Sequence, residues 1–256
     1  MITEQQAFVV LPAAFVAGIM NAIAGGGSFV TLPALAYTGV SPIVANSTGT
    51  AALLPGYASA AWAMRRDIGR TKTMSAAAIA LWAFLGGIAG SVLLAITPGK
   101  AFETILPVLI LGSTALFAFS NRLVRADRAG QGPERSAGSL PKVAAIFFAG
   151  VYGGYFNGGL GVLLLAMLSL IGESDLRSIN GAKNLASLVL TTIAVGIYGF
   201  AGQVAWNLAM PMMVGSITGG YIGGLVARYL PVRFLRCFVV LTGLVLALVF
   251  GLRAWH

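Results

Sequence analysis

From Ala7 to Met64 this chain carries no Asp, Glu, Lys, Arg or His, and in the middle of that run stands Gly25-Gly26-Gly27-Ser28. An uncharged apolar stretch of this length belongs in a bilayer, where each unpaired backbone N–H or C=O costs several kcal/mol. A glycine cluster that breaks a helix there persists only where protein or a wet cavity encloses it. The break recurs: Asn157-Gly158-Gly159-Leu160-Gly161 interrupts a second uncharged run, from Val143 to Ile171. Two such interruptions predict an enclosed polar site at membrane depth.

Charged residues make up 9% of the chain and the AVILMFWYC set 58%, far from the roughly 25% charged composition of soluble domains. This predicts an all-α polytopic membrane protein, a single membrane domain over residues 1–256 with the lipid bilayer as its partner. At about 20 residues per span the length allows about seven to nine spans. No basic region precedes Phe8, so no cleaved signal peptide is expected. One cysteine, Cys237, and one histidine, His256, supply neither a disulfide nor a metal cluster. No Asp, Glu, His or Cys pair falls within a span, so no catalytic residue, metal or cofactor is expected, and the chain does not read as an enzyme. The net charge of +9 sits at span ends rather than along a basic face, so nucleic acid is not an expected partner.

The apolar segments run Phe8–Ala24, Phe29–Tyr37, Ile43–Met64, Met74–Ile96, Phe102–Phe119, Val143–Phe156, Val162–Ile171, Leu176–Phe200, Trp206–Ala227 and Phe234–Leu252, or about eight helices when each broken pair counts once. The pieces flanking the breaks read as short for a full crossing. Asn121 to Lys142 reads as a soluble linker between a first repeat at about 7–121 and a second at about 143–254. The halves correspond: Ala17-Gly18 with Ala149-Gly150, Gly26-Gly27 with Gly158-Gly159, Gly86-Gly87-Ile88-Ala89-Gly90 with Gly219-Gly220-Tyr221-Ile222-Gly223, Pro98 with Pro231, and Asn46 and Thr50 with Asn180 and Asn184. All these pairs lie 132 to 134 positions apart, the signature of an internal duplication.

Basic residues orient the halves, because cytoplasmic loops carry the excess of Lys and Arg. Loop 65–72 has four and its counterpart, Gly199–Ala205, has none, whereas Lys100 stands alone opposite Arg228, Arg233 and Arg236; the linker has five. Corresponding loops with opposite bias predict inverted repeats, each a re-entrant hairpin followed by three spans, with the basic loops cytoplasmic and both termini outside. Inverted repeats whose broken helices meet near the midplane are a recurring transporter design.

A helix that begins inside a protein presents its first N–H groups unpaired, together with the positive end of its dipole, and so attracts an anion. Gly27 and Ser28 would begin one half-helix, Leu160 and Gly161 the other. The candidate substrate-binding residues are therefore Gly25, Gly26, Gly27 and Ser28 at the first break and Asn157, Gly158, Gly159 and Gly161 at the second. Asn46 with Thr50, and Asn180 with Asn184, are four apart and share a helix face; they suit either ligand contact or interhelical hydrogen bonding, as do Ser47 and Ser187. Lys183, two turns into its span, is an intramembrane charge and a functional candidate, unless it snorkels to the cytoplasmic headgroups beside Arg177. Gly86 and Gly90, like Gly215, Gly219 and Gly223, read instead as close helix packing.

The segments AGIMNAIAGGGSFVTLPAL at 17–35, VANSTGTAALLPG at 44–56, GVYGGYFNGGLGVLLLAMLSLIG at 150–172 and INGAKNLASLV at 179–189 resemble the paired signatures of the TauE/SafE family of sulfite and organosulfonate exporters. The resemblance covers nearly the whole chain. It implies a secondary transporter of the bacterial cytoplasmic (inner) membrane that moves small sulfur oxyanions or organic anions, with the glycine tips and the Asn-bearing helices at the pore. Residue pattern and resemblance converge on one expectation: a small anionic substrate held between the tips while the halves alternate access. A passive anion channel could use the same tips and is the first alternative, ahead of a membrane enzyme or a scaffold. A homodimer is compatible with this reading, and the pattern does not choose between export and import.

Overall fold

Thr3 opens the first helix with a reciprocal cap: its Oγ1 accepts from the Gln6 N–H at 3.2 Å, and Gln6 Oε1 accepts from the Thr3 N–H at 3.1 Å. Two donors that a helix start leaves over are thereby satisfied. The computed structural model describes residues 3–129, 139–173, 175–227 and 232–254. Among them the regular structure is entirely helical: α1 (Glu4–Ile23), α2 (Ser28–Tyr37), α3 (Pro42–Ala63), α4 (Arg65–Ile68), α5 (Ala76–Ile96), α6 (Gly99–Ala129), α7 (Ser139–Tyr155), α8 (Leu160–Leu170), α9 (Leu176–Phe200), α10 (Trp206–Val226) and α11 (Val232–Ala254). Starts follow local chemistry. Pro42 takes the first turn of α3, Ser75 Oγ accepts from the Ala78 N–H ahead of α5, and Asp175 Oδ1 accepts from the Arg177 N–H ahead of α9.

Both breaks are real: α1 gives way to α2 through Ala24–Gly27, and α7 to α8 through Phe156–Gly159. The arms of each hairpin are unequal. α1 reaches back to Glu4 and is 20 residues long, enough by length and composition to cross a membrane, whereas α2 has 10. The expectation of two short pieces therefore holds for α2 but not for α1, because the Thr3–Gln6 cap recruits the polar residues ahead of Phe8 into the helix. The hairpin nonetheless turns back, since Glu4, Gln5, Phe8 and Val9 of α1 and Tyr37 of α2 line one surface groove. α5, α6 over 99–119, α9 and α10 are also long and apolar enough to cross a membrane.

The expected linker is shorter than the sequence suggested. α6 runs on to Ala129 and α7 begins at Ser139, because Asn121–Ala129 is built mainly from the good helix formers Arg, Leu and Ala. Residues 130–138 of that linker, Ser174, and the Arg228 and Pro231 positions of the repeat lie outside the described residues.

The halves interlock. α1 packs along α10 and its counterpart α7 along α5; α10 then packs on α3, and α5 on α9. α2 touches α11 as α8 touches α6, while α3 pairs with α9 and α6 with α11. Each hairpin is thus covered mainly by a span of the other half. Glycine permits this. A Cβ at Gly90 would lie 2.0 Å from the Val151 carbonyl oxygen and one at Gly219 2.1 Å from that of Phe15, distances at which only a missing side chain lets the backbones meet. Gly86, Gly215 and Gly223 are similarly crowded, as the packing expectation required.

One buried carboxylate ties the loops together at the other end of α8. Glu173 Oε2 accepts from the Lys72 N–H at 2.8 Å and, at 3.4 Å, from the N–H and hydroxyl of Thr73. Glu173 stands at the edge of the bundle yet is buried, and its carboxylate is met by donors of the 72–73 loop.

Candidate functional site

The two glycine breaks meet. A Cβ on Gly25 would fall 2.1 Å from Gly161 Cα, and one on Gly161 2.3 Å from Gly25 Cα, so the backbones of the two tips are in direct contact. Gly25 has φ 80° and Gly159 φ 76°, a left-handed geometry that glycine adopts without steric cost. Around this crossing α3 and α9 supply the polar side chains. On the α6–α11 side, Phe117 and Val239 close over Gly26, and Ser113 closes over Gly159.

At the first break the Asn21 side chain folds over the turn and its Oδ1 accepts from the Gly27 N–H at 2.9 Å. Lys183, reaching across from α9, donates to the Asn21 carbonyl at 3.1 Å and the Ala22 carbonyl at 2.9 Å. These are last-turn carbonyls of α1, at its negative dipole end; that of Asn21 also accepts from the Gly25 N–H at 3.1 Å. Lys183 is 0% exposed, so it does not snorkel to the headgroups; its ammonium is a buried cap on another helix.

At the second break neutral donors do the equivalent work. Asn46 Nδ2 donates to the Tyr155 carbonyl at 3.2 Å, and the Tyr198 hydroxyl donates to the Gly154 carbonyl. The Tyr57 hydroxyl donates to Asn157 Oδ1 at 3.2 Å, and that of Tyr152 to the Gly158 carbonyl at 2.7 Å. α9 thus caps the helix entering the first break through Lys183, and α3 and α9 together cap the helix entering the second, through Asn46 and Tyr198.

These contacts leave a surplus of donors. Among the described residues, the N–H groups of Gly26 and Ser28 at one break, and of Gly158, Gly159 and Gly161 at the other, make no hydrogen bond. The Nδ2 groups of Asn21 and Asn157 are buried without an acceptor. Unmet buried donors are uncommon because each costs about 1–3 kcal/mol. Unpaired donors thus stand at two helix starts and on two amides, with Lys183 Nζ behind one of them. Among the described residues the buried charged side chains are Lys183 and Glu173, and Glu173 is held by the 72–73 loop.

The candidates from the sequence divide. Gly25, Gly26, Gly27, Ser28, Asn157, Gly158, Gly159 and Gly161 gather at the crossing, with Lys183 and Asn46 one contact behind. Thr50 and Asn180 turn inward on their own helices, to the Asn46 and Leu176 carbonyls at 2.8 and 3.1 Å. Asn184 Nδ2 approaches Met64 Sδ at 3.2 Å and leaves its Oδ1 unpaired. Ser47 and Ser187 are buried with unpaired hydroxyls. Sequence reasoning passed over Asn21, Tyr57, Tyr152 and Tyr198. Asn21 had a signal, as an amide one turn before three glycines in an uncharged run. A tyrosine inside a span also calls for a hydroxyl partner, but its identity depends on which helices become neighbours.

The family model for the sulfite exporter TauE/SafE matches residues 10–250. A protein of Haemophilus influenzae described as "Probable membrane transporter protein" is 32% identical over 217 residues, covering 82% of this chain and 80% of that protein. "Probable membrane transporter protein ORF9" of Sinorhizobium sp is 27% identical over 237 residues, 92% of this chain and 88% of its own. "Probable membrane transporter protein YfcA" of Escherichia coli is 26% identical over 243 residues, covering 91% and 85%. A match across nearly the whole chain, on a helical membrane fold whose two breaks converge on unpaired donors, places this chain in the TauE/SafE sulfite exporter family of membrane transporters.

Proposed function

We propose that this chain exports a small sulfur oxyanion, sulfite or an organosulfonate, across the bacterial inner membrane, and that the anion binds where the two breaks cross. The observation that carries this reading is the set of buried donors without acceptors on both sides of the crossing, the Asn21 and Asn157 Nδ2 groups foremost. A tetrahedral or pyramidal oxyanion offers several acceptors at once, to amides of Gly26, Ser28, Gly159 and Gly161 and to the two asparagines. Gly25, Gly27 and Gly158 shape the tips. Asn46, Thr50, Asn180 and Asn184 line the flanking helices, and Lys183 supplies positive charge behind the first break.

The two halves, residues about 7–121 and 143–254 of one membrane domain, act as inverted repeats with the basic loops inside the cell and the termini outside. The reciprocal packing of α1 on α10 and of α7 on α5 supports a two-fold relation between the halves, and the opposite Lys and Arg bias of their corresponding loops supports the inversion. Because Gly25 and Gly161 touch, an ion passes only when the tips part. This favours alternating access over a standing pore. The mechanism is complete within one chain, so a homodimer would hold two pathways.

Reconstitution in proteoliposomes tests it. Sulfite flux should saturate, and Asn21→Ala and Asn157→Ala should each raise KM about tenfold or more, the loss expected for a hydrogen bond to a charged ligand. Flux that rises linearly with sulfite concentration would instead indicate a channel.

A further inference from the structure

We infer that Lys183 is a specificity-determining residue that acts as a fixed charge behind the first break: it neutralises the carbonyl end of α1 and so sets the affinity for the anion without being a contact ligand. The inference rests on the anion reading of the crossing and concerns how that site acquires its sign.

In each hairpin a helix C-terminus and a helix N-terminus face the same few residues. The first carries about half a negative charge and the second about half a positive one. An anion at the start of α2 therefore lies beside the repelling end of α1, four residues earlier in the chain. Lys183 removes that repulsion. Its Nζ sits on the Asn21 and Ala22 carbonyls at 3.1 and 2.9 Å, and Asn21 continues the chain of contacts, its Oδ1 holding the Gly27 N–H at 2.9 Å. Nζ is thus linked through Asn21 to the N–H of Gly27, the residue that precedes α2, and its seat is the carbonyls rather than the crossing itself.

The second break shows what is special about the first. Its carbonyls, Gly154 and Tyr155, are met by the neutral donors Tyr198 and Asn46. At the offset of 134 that relates Asn46 to Asn180, the position matching Lys183 is Gly49. The two capped ends therefore differ in kind: neutral donors hold the carbonyls of the second, and an amine that can carry a proton holds those of the first. Cap geometry needs a donor, which a neutral residue supplies at the second break. The ammonium adds a field that only a charged ligand would register.

The test uses the full chain in proteoliposomes with sulfite as the probe, comparing the parent with Lys183→Gln, Lys183→Met and Lys183→Arg, and following thermal unfolding in detergent alongside flux. Lys183→Gln keeps a donor for the two carbonyls and loses the charge. KM for sulfite should rise about tenfold or more while maximal flux stays within about threefold, and Lys183→Arg should restore KM to within about threefold of the parent. A Lys183→Gln protein with parental KM, or one impaired only in thermal stability, overturns the inference and leaves the anion site standing. Lys183→Arg as defective as Lys183→Gln makes Lys183 a contact ligand and overturns it as well. Where Lys183→Met fails to fold, Lys183→Gln decides alone. A parent without saturable sulfite flux overturns the functional reading, and the inference with it.

Discussion

Gly25 and Gly39 have φ of 80° and 88°, yet they answer to different constraints. At Gly39 an added Cβ would meet nothing within 4 Å, whereas at Gly25 it would strike the backbone of Gly161 at 2.1 Å. Gly39→Ala should cost only the left-handed penalty, about 1–2 kcal/mol. Gly25→Ala should cost about 4 kcal/mol or more, since the tips must separate as well. Thermal unfolding of the two variants in detergent checks this, and equal losses would mean that the tip contact contributes nothing. The pattern of glycines announced a break, but only the crossing explains why Gly25 has no substitute. The same holds for Asn21, whose amide is legible as polar in an apolar run but whose link to Lys183 depends on a residue 162 positions away.

Helix against helix, small residues decide how the halves interlock. Gly90 of α5 and Gly219 of α10 each admit the carbonyl of a helix from the other half, Val151 of α7 and Phe15 of α1. Gly112 of α6 faces open space. Gly90→Ala and Gly219→Ala should each destabilise the protein by about 2–4 kcal/mol through forced separation of the helices. Gly112→Ala should be neutral or stabilising by up to about 1 kcal/mol through its better helix propensity. Unfolding midpoints of the three variants compare these, and a Gly90→Ala protein as stable as Gly112→Ala would remove the close-packing account. The extension of α6 through Ala129 was missed because the polar Arg-bearing segment resembled a linker. In a helix that has left the bilayer, polarity no longer argues against helical structure.

For the molecule as a whole, the opposed loop charges and the reciprocal packing lead to one expectation about sidedness. With the exposed Cys237 replaced by Ser, Thr38→Cys at the end of the first hairpin should react with a membrane-impermeant maleimide from the periplasmic face. Leu176→Cys, at the start of α9 just after the second hairpin, should react from the cytoplasmic face. Labelling of both from one side would rule out inverted halves and, with them, the alternation of the two tips.

Composition and period suffice for part of this protein, and that part the sequence determined by itself. A chain this apolar must satisfy its backbone internally, so it had to be helical in the membrane. Two glycine clusters at a constant offset had to interrupt two equivalent helices, and family membership was legible in the same segments. Only the tertiary structure decided which end meets which: that Gly25 rests on Gly161, that Lys183 is seated on the carbonyls of α1 rather than at the headgroups, and that Asn21 and Asn157 are left with donors to spare. Those outcomes depend on contacts between residues a hundred or more positions apart. Local pattern carries no record of such pairings, because a side chain's partner is set by how the two halves fit together.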